Sequence, residues 1–360
     1  MKIVIFGLTI SSSWGNGHAT VWRSLCRKLI GRGHTVVFFE RDVPYYAAHR
    51  DVSAIDGGRL RLYQSWNDIV STASRELRDA DVAIVTSYCP DGIAASDLVW
   101  FSPALRVFYD LDAPVTIARL RAGEVVPYIP PNGLGDFDLV LSFTGGGALD
   151  ALRADLGAKQ VAPLYGSVDP DVHRPVPFNH RYRAALSYLG TYSPDRQGTL
   201  QNLFIEPARR VPEARFVMGG AQYPAEFPWT DNIFFVQHLP PSEHPSFFCS
   251  SRLTLNVTRA AMREMGWCPS GRLFEAAACG VSIITDTWDG LDEFFTPESE
   301  ILIASSTEDV VAGLGLSDAE LGRIAHAARE RVLDEHTGVQ RAEEFENIIE
   351  NFQATRAFAA

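Results

Sequence analysis

Lys2-Ile3-Val4-Ile5-Phe6-Gly7 opens the chain as a short β-rich run, and the residues that follow it decide the fold. Val21, Leu25, Leu29 and Ile30 recur at helical spacing, with Trp22 and Cys26 beside them. Gly31-Arg32-Gly33-His34 stops that helix, and Thr35-Val36-Val37-Phe38-Phe39 reads as the next strand. Strand, helix and strand within forty residues make a βαβ unit, which demands a parallel sheet with a right-handed crossover.

The pattern continues outward from that unit. Asp81–Thr86, Arg106–Asp110 and Asp138–Phe143 are apolar runs of strand length. Pro163, Pro170, Pro175 and Pro177 then mark residues 163–180 as a linker. A second series follows: strands at Leu186–Gly190, Arg215–Gly220, Asn232–Val236, Leu253–Val257 and Val281–Thr285, with a helix from Gly198 to Arg210 and another from Leu273 to Cys279. Two helices near 317–335 and 337–356 close the chain. The expected fold class is α/β, with two doubly wound, Rossmann-like domains at 1–172 and 180–336. A last segment, 337–360, is expected to pack back on the first domain. Open parallel sheets bind ligands at the carboxyl ends of their strands, so a ligand cleft between the two is the expectation.

Composition sets the outer bounds. A chain of 360 residues, 46% apolar and 21% charged, fits two globular domains and excludes a disordered or collagenous chain. No apolar run reaches the roughly 18–20 residues that span a bilayer. The net charge of −12 argues against binding a nucleic-acid backbone or an anionic membrane. Residues 1–170 carry 18 acidic and 16 basic side chains, and residues 171–360 carry 26 and 16. Only Lys2, Lys28 and Lys159 are lysines, so any anion held by a side-chain cation in the second half is held by Arg. The five cysteines are odd in number and scattered, which suits reduced thiols and a cytoplasmic setting.

Candidate site residues cluster at strand ends. Gly15, Gly17 and His18 lie between the first strand and first helix, where a missing Cβ and a helix N-terminus admit a phosphate or sugar. Their spacing is not G-x-G-x-x-G, so a dinucleotide is not implied. His18 is a candidate base there, or an orienting group. Asp110-Leu111-Asp112-Ala113-Pro114 ends a buried strand, and alternation places Asp110 and Asp112 on one side, as cleft carboxylates or as caps. In the second half, Gly190 and Thr191 precede Arg196, whose planar fork suits a diphosphate. The densest segment runs from Asn256 through Ser270-Gly271-Arg272 to Glu275. A Ser-Gly pair opens a short helix there, and Glu275 lies a turn in, placed to accept two ribose hydroxyls or to act as a helix-dipole carboxylate.

Those residues carry a resemblance. Gly271-Arg272-Leu273-Phe274-Glu275-Ala276-Ala277-Ala278-Cys279-Gly280, with Thr285-Asp286, Leu291–Phe295, His336-Thr337 and Arg341, resembles the CgeB-like glycosyltransferases, a spore-maturation-protein family with the GT-B fold. Tyr109–Pro114 resembles an acidic-Pro motif of the same group. The resemblance implies a nucleotide-sugar donor bound by the second domain. Glu275 would hold the ribose, and Arg196, Ser270, Gly271 and Arg272 the diphosphate. The loop through His238 and Leu239 would hold the base through its backbone. It also implies that no metal or cofactor is needed, with the nucleoside-diphosphate sugar as co-substrate. The chain departs from related enzymes in two ways. Trp267 stands eight residues before the ribose carboxylate, where many carry Glu, and no lysine is present to share the diphosphate.

The sequence therefore reads as a glycosyltransferase with donor residues in the second half and acceptor residues in the first, Asp112 or His18 serving as base. Two other classes fit the same residues. One is a nucleotide-sugar epimerase on this fold, and the other a nucleotide-sugar-binding protein without catalysis. Donor sugar, nucleobase, acceptor and oligomeric state are left open.

Overall fold

Two sheets form, and every strand pair in them is parallel. They are seen in a computed structural model that describes residues 1–359, with side chains described through Thr355; Ala360 lies outside the described residues. The first sheet holds β1 (Lys2–Gly7), β2 (Thr35–Arg41), β3 (Arg59–Tyr63), β4 (Val82–Thr86), β5 (Leu105–Asp110), β6 (Leu139–Ser142) and β7 (Val161–Pro163), in the order β3-β2-β1-β4-β5-β6-β7. The second holds β8 (Ala184–Leu189), β9 (Phe216–Gly220), β10 (Ile233–Gln237), β11 (Ser251–Asn256), β12 (Ser282–Thr285) and β13 (Leu302–Ile303), in the order β10-β9-β8-β11-β12-β13.

Each order reverses once, between β1 and β4 in the first sheet and between β8 and β11 in the second. At such a reversal the flanking crossovers run to opposite sides, so a crevice opens at the carboxyl ends of the two central strands. The central strands are sealed on both faces: Ile3 to Phe6 and Val36 to Phe39 are fully buried. This is why they read as continuous apolar runs and not as alternation. The edge strands behave differently. β3 is Arg59-Leu60-Arg61-Leu62-Tyr63, mostly exposed, and β13 is two residues long.

The chain divides into two compact units, Met1–Tyr165 joined by the segment from Gly338, and Gly166–Thr337. Residues 166–172, expected with the first domain, thus belong to the second unit, where Val168 bridges to Thr337. The helix Gly338–Ala359 lies against helix His18–Gly31 of the first unit. Its Ala342, Phe345 and Ile349 are fully buried in the same core cluster as Trp22, Leu25 and Phe38. A Cβ on Gly338 would come within 2.6 Å of the Ser24 hydroxyl, so the glycine lets the two helices approach closely there.

The helix expected to run unbroken to Arg210 is interrupted. Residues Gln197–Leu200 and Glu206–Arg210 are α-helical, and Gln201–Ile205 between them forms a π-helical turn. Pro207 accounts for it. Its ring carries no N–H and would clash with the carbonyl four residues back, and a wider turn removes that clash.

Candidate functional site

In the second unit the site grows from the β8/β11 reversal. β8 ends at Leu189, and the chain turns through Gly190 and Thr191 into a 3-10 turn at Pro194–Arg196. Arg196 folds back so that its Nη1 donates to the Tyr188 hydroxyl at 3.2 Å and to the Thr191 carbonyl at 3.3 Å. Arg272, the second residue of helix Gly271–Ala278, brings its guanidinium carbon to 6.0 Å from the Tyr188 ring. Two guanidiniums therefore meet around one phenol. A Cβ on Gly190 would lie 2.6 Å from the Tyr188 hydroxyl and 3.1 Å from Arg272 Nη1, so the glycine makes the room they occupy.

Glu275 and Asp195 lie near enough to attract Arg272 and Arg196, but neither bonds them. Neither Arg196 nor Arg272 forms an ion pair with a carboxylate among the described residues, and the Nε of each is buried without a partner. Asp195, next in sequence to Arg196, is held instead by Ser193, by the Ala260 N–H at 3.2 Å and by Arg259. Burial, and with it repulsion from Arg196, holds the Arg272 guanidinium below its ordinary range. Guanidinium does not shed its proton in proteins, so the charge stays, and the attraction of Glu275 offsets only part of the cost. Beside it the helix begins at Gly271 with Ser270 as N-cap and no side-chain cap bond. A Cβ on Gly271 would meet nothing within 4 Å, and in the first turn the Leu273 N–H donates to the Ser270 carbonyl at 2.9 Å.

Glu275 follows one turn on and is only 7% exposed. Burial opposes its charge, but the imidazoles of His173 and His244, with Arg272, outweigh burial and hold it at about 2. His244 Nδ1 is 3.4 Å and His173 Nε2 3.8 Å from the same oxygen, Oε2. The other oxygen, Oε1, receives no hydrogen bond from the described residues. A buried carboxylate accommodates several donors, so Glu275 is an acceptor in want of them. Neither histidine stood out in the sequence. His173 lies in the proline-rich stretch read as linker, and His244 follows Glu243 and precedes Pro245 at the start of a six-residue helix. His173, His244 and Glu275 also form a set whose ligand atoms all lie within 4.8 Å of one another, a grouping that the expectation of a metal-free site did not contain.

The remaining donor candidates are placed as follows. His238 sits in the left-handed region (φ 46°), and its N–H donates to the Gly220 carbonyl at 2.7 Å, which fixes the loop after β10. Leu239 is buried, and its carbonyl accepts from His244 Nε2 at 3.3 Å. Asn256 is buried at the end of β11, where its Nδ2 donates to Thr285 Oγ1 at 3.0 Å while its Oδ1 has no partner. It braces two strand ends. Trp267 also has a left-handed backbone (φ 43°), and its ring covers Gly290, where a Cβ would strike it.

The first unit builds a second group at the β1/β4 reversal. The loop after β1 is pinned by Glu40, which is fully buried and accepts from the N–H groups of Ile10 and Ser11 at 2.8 and 3.0 Å. That anchored loop delivers Gly15 (φ 64°) and Gly17, the N-cap of helix His18–Gly31. His18 Nε2 lies 3.9 Å from Asp112 Oδ2, and its Nδ1 is buried without a partner. Asp110 and Asp112 do come together, but not by strand alternation. β5 stops at Asp110, and Asp112 is the N-cap of helix Ala113–Arg121, with its own N–H donating to Asp110 Oδ1 at 2.9 Å. Burial pushes the Asp110 carboxyl up to about 6.

Tyr88, which the sequence reading passed over, completes this group. It follows β4 with φ 62°, a strained backbone for a bulky residue. Its ring lies 5.3 Å from His18, and burial followed by the charge of the nearby Asp112 pushes its phenol up. A backbone outlier beside two carboxylates and an imidazole marks a site held in place by its surroundings. By contrast, a cavity of about 630 Å³ in this unit opens at the amino ends of β5, β6 and β7, lined by Trp100, Arg106, Phe137, Lys159 and Phe352. It touches none of the candidate residues.

Solved structures share this fold over nearly the whole chain. Sucrose-phosphate synthase from Thermosynechococcus elongatus superposes with a TM-score of 0.71 at 14% identity, covering 98% of this chain and 99% of that one. HepE from Anabaena, solved with UDP and glucose, gives 0.67 at 13%, covering 98% and 100%. The fold is GT-B. An alpha-glucosyltransferase solved with UDP-glucose and DNA gives 0.68 at 14%, covering 97% and 99%. Residues 196–347 match the family described as glycosyl transferase-like. That span begins at Arg196 and takes in Arg272 and Glu275, while the Tyr88–Asp112 group lies outside it. No curated protein matches the chain. Among the described residues no helix of this GT-B chain is long and apolar enough to cross a membrane.

Proposed function

We propose that the protein is a glycosyltransferase that takes a sugar from a nucleoside-diphosphate donor. One observation carries the reading: two partly buried guanidiniums, Arg196 and Arg272, share one phenol with no protein anion between them. A diphosphate supplies the missing charge. The uncapped N-terminus at Ser270 and Gly271 adds N–H donors, and Glu275 takes the ribose hydroxyls that its Oε1 lacks. The match of residues 196–347 to a glycosyl transferase-like family supports the same reading. HepE and other neighbours hold UDP or UDP-glucose, which makes UDP the first probe.

The chemistry follows from charge. As the glycosidic bond breaks, negative charge grows on the diphosphate, and fixed guanidinium and N–H donors stabilise it without a metal. In the first unit, Asp112, beside Tyr88 and 3.9 Å from His18 Nε2, takes the proton of an acceptor hydroxyl. The net charge of −12 makes a nucleic-acid acceptor a poor fit. The closer kinship with CgeB-like proteins and a cytoplasmic setting belong to the same proposal.

Calorimetry tests the donor half of this reading. Wild type is titrated with UDP, ADP and GDP and with their nucleosides, and so is Arg196→Ala. A charge-assisted contact of about 1.5–3 kcal/mol predicts a loss of roughly 10–150-fold for the preferred diphosphate and a few-fold at most for its nucleoside. Equal losses on both, or no diphosphate bound by wild type, refute it.

A further inference from the structure

Three side chains of the second unit turn ligand atoms toward one another without a hydrogen bond among them. His173 closes a turn, its N–H donating to the Asp169 carbonyl at 2.8 Å. His244 begins the helix His244–Cys249, and Glu275 lies in the helix Gly271–Ala278. Their ligand atoms all lie within 4.8 Å of one another. His244 Nδ1 stands 3.4 Å and His173 Nε2 3.8 Å from Glu275 Oε2. His244 Nδ1 and both ring nitrogens of His173 are buried and bond nothing among the described residues. We propose that His173, His244 and Glu275 bind one divalent cation with the ligand preferences of zinc.

The orientation of His244 is set from outside the group. Its Nε2 bonds the Leu239 carbonyl at 3.3 Å. A carbonyl only accepts, so Nε2 carries the proton and the neutral ring turns its Nδ1 lone pair toward the carboxylate. A ligating imidazole usually gives its other N–H to a carbonyl or carboxylate, which fixes the ring for the metal. Two acceptors that face each other away from water repel unless a cation lies between them. The spacing says which cation. A proton shared between nitrogen and carboxylate draws the pair to about 2.7–2.9 Å. Two atoms bonded to one zinc at about 2.0–2.1 Å in a tetrahedron stand roughly 3.3 Å apart. The 3.4 Å spacing matches the ion and not the proton. The 3.8 Å spacing asks the His173 ring to close by roughly 0.5 Å.

Two imidazoles and one carboxylate suit zinc, whereas magnesium and calcium take oxygen ligands. The ion belongs to Oε2 of Glu275. Its Oε1 is left to the ribose, and the diphosphate to Arg196 and Arg272, so the site goes beyond the donor reading and does not depend on it. Its role is structural: it ties the turn at His173 to two helices that are distant in sequence.

The experiment is zinc binding by the full chain after a chelator has stripped it. Wild type is compared with His173→Ala, His244→Ala and Glu275→Gln, and with His326→Ala as control, an exposed residue of the helix Asp318–Glu335. In calorimetry wild type should take up a single zinc ion per chain, and cobalt(II) in its place should give the intense visible absorption of a tetrahedral ion. Zinc at 100 times its Kd should raise the melting point by roughly 5–10 °C, and magnesium should not. Loss of a group that merely orients a ligand costs about 10–100-fold in metal affinity, so each ligand variant should lose at least about 100-fold and the control nothing. A wild type that binds neither zinc nor cobalt overturns the proposal, and so does zinc binding that all three ligand variants retain. The cobalt spectrum of wild type decides the matter even where a variant fails to fold. UDP separates the two readings. UDP bound by a wild type that takes up no zinc overturns the metal site and leaves the donor reading standing. Zinc bound at these residues by a wild type that binds none of UDP, ADP and GDP upholds the site and overturns the donor reading.

Discussion

Replacing Arg272 by Met should make the empty protein more stable and the UDP complex weaker. The guanidinium donates no hydrogen bond among the described residues, its Nε is sealed from solvent, and Arg196 repels it. Methionine keeps the aliphatic stem that packs beside Tyr188 and discards the charge. Exchanging buried ionic groups for apolar ones of similar size is worth up to about 1–4 kcal/mol. Arg272 is only partly buried, so about 1 kcal/mol is the expectation, which raises the melting point by roughly 2–4 °C for a unit of this size. Binding moves the other way. Loss of one charge-assisted contact weakens UDP by roughly 10–150-fold. At a UDP concentration 100 times the wild-type Kd, the ligand stabilises wild type by about 2.7 kcal/mol, and a 30-fold weaker variant by about 0.9 kcal/mol. The UDP-induced rise therefore shrinks from roughly 5–10 °C to roughly 2–4 °C. Differential scanning fluorimetry with and without UDP reads both changes on one plate. A variant that melts below wild type when empty and keeps the full UDP shift would show that Arg272 is a structural cation, and the charge-deficit reasoning would fail.

Two further predictions concern the first unit. Asp112→Asn keeps shape and oxygen but not the proton-accepting charge, so transfer should drop by about 10²–10⁴ with UDP affinity within a few fold, while His18→Ala should cost less; full transfer in both variants rules out either as base. Asp110, raised to about 6 when folded against an ordinary value of 3.8, binds more protons in the native state, so stability falls as pH climbs from about 4 to 6. Asp110→Asn should flatten that stretch of a urea-denaturation pH series, and an unchanged slope would mean that another group titrates there.

The buried strands were the most legible part of the sequence, because a strand covered on both faces must be apolar throughout. Arg59–Tyr63 and Leu302–Ile303 were not, since an edge strand is half wet and short. The Arg196, Arg272 and Glu275 group was legible because each residue sits at a strand end or helix start that the pattern locates. Tyr88, His173 and His244 were not. Tyr88 owes its place to a left-handed backbone, His173 lies in a stretch whose prolines signal a connection, and His244 meets Glu275, 3.4 Å away, only through the fold. The paired placement of Asp110 and Asp112 was expected from strand alternation or capping; the strand ends at Asp110, and the Asp112 N–H bond to the Asp110 carboxylate joins them instead. Pro207 was visible, but whether a helix breaks or widens around a proline depends on the neighbours it packs against.

The return of helix Gly338–Ala359 to the first unit has a consequence for synthesis. A ribosome releases residues in order, so the first unit emerges first but lacks Ala342, Phe345 and Ile349, three fully buried members of its core. The second unit, Gly166–Thr337, is complete as soon as its own residues are out. The nascent chain thus finishes the second unit before the first, whose residues wait, with an apolar face uncovered, for helix Gly338–Ala359.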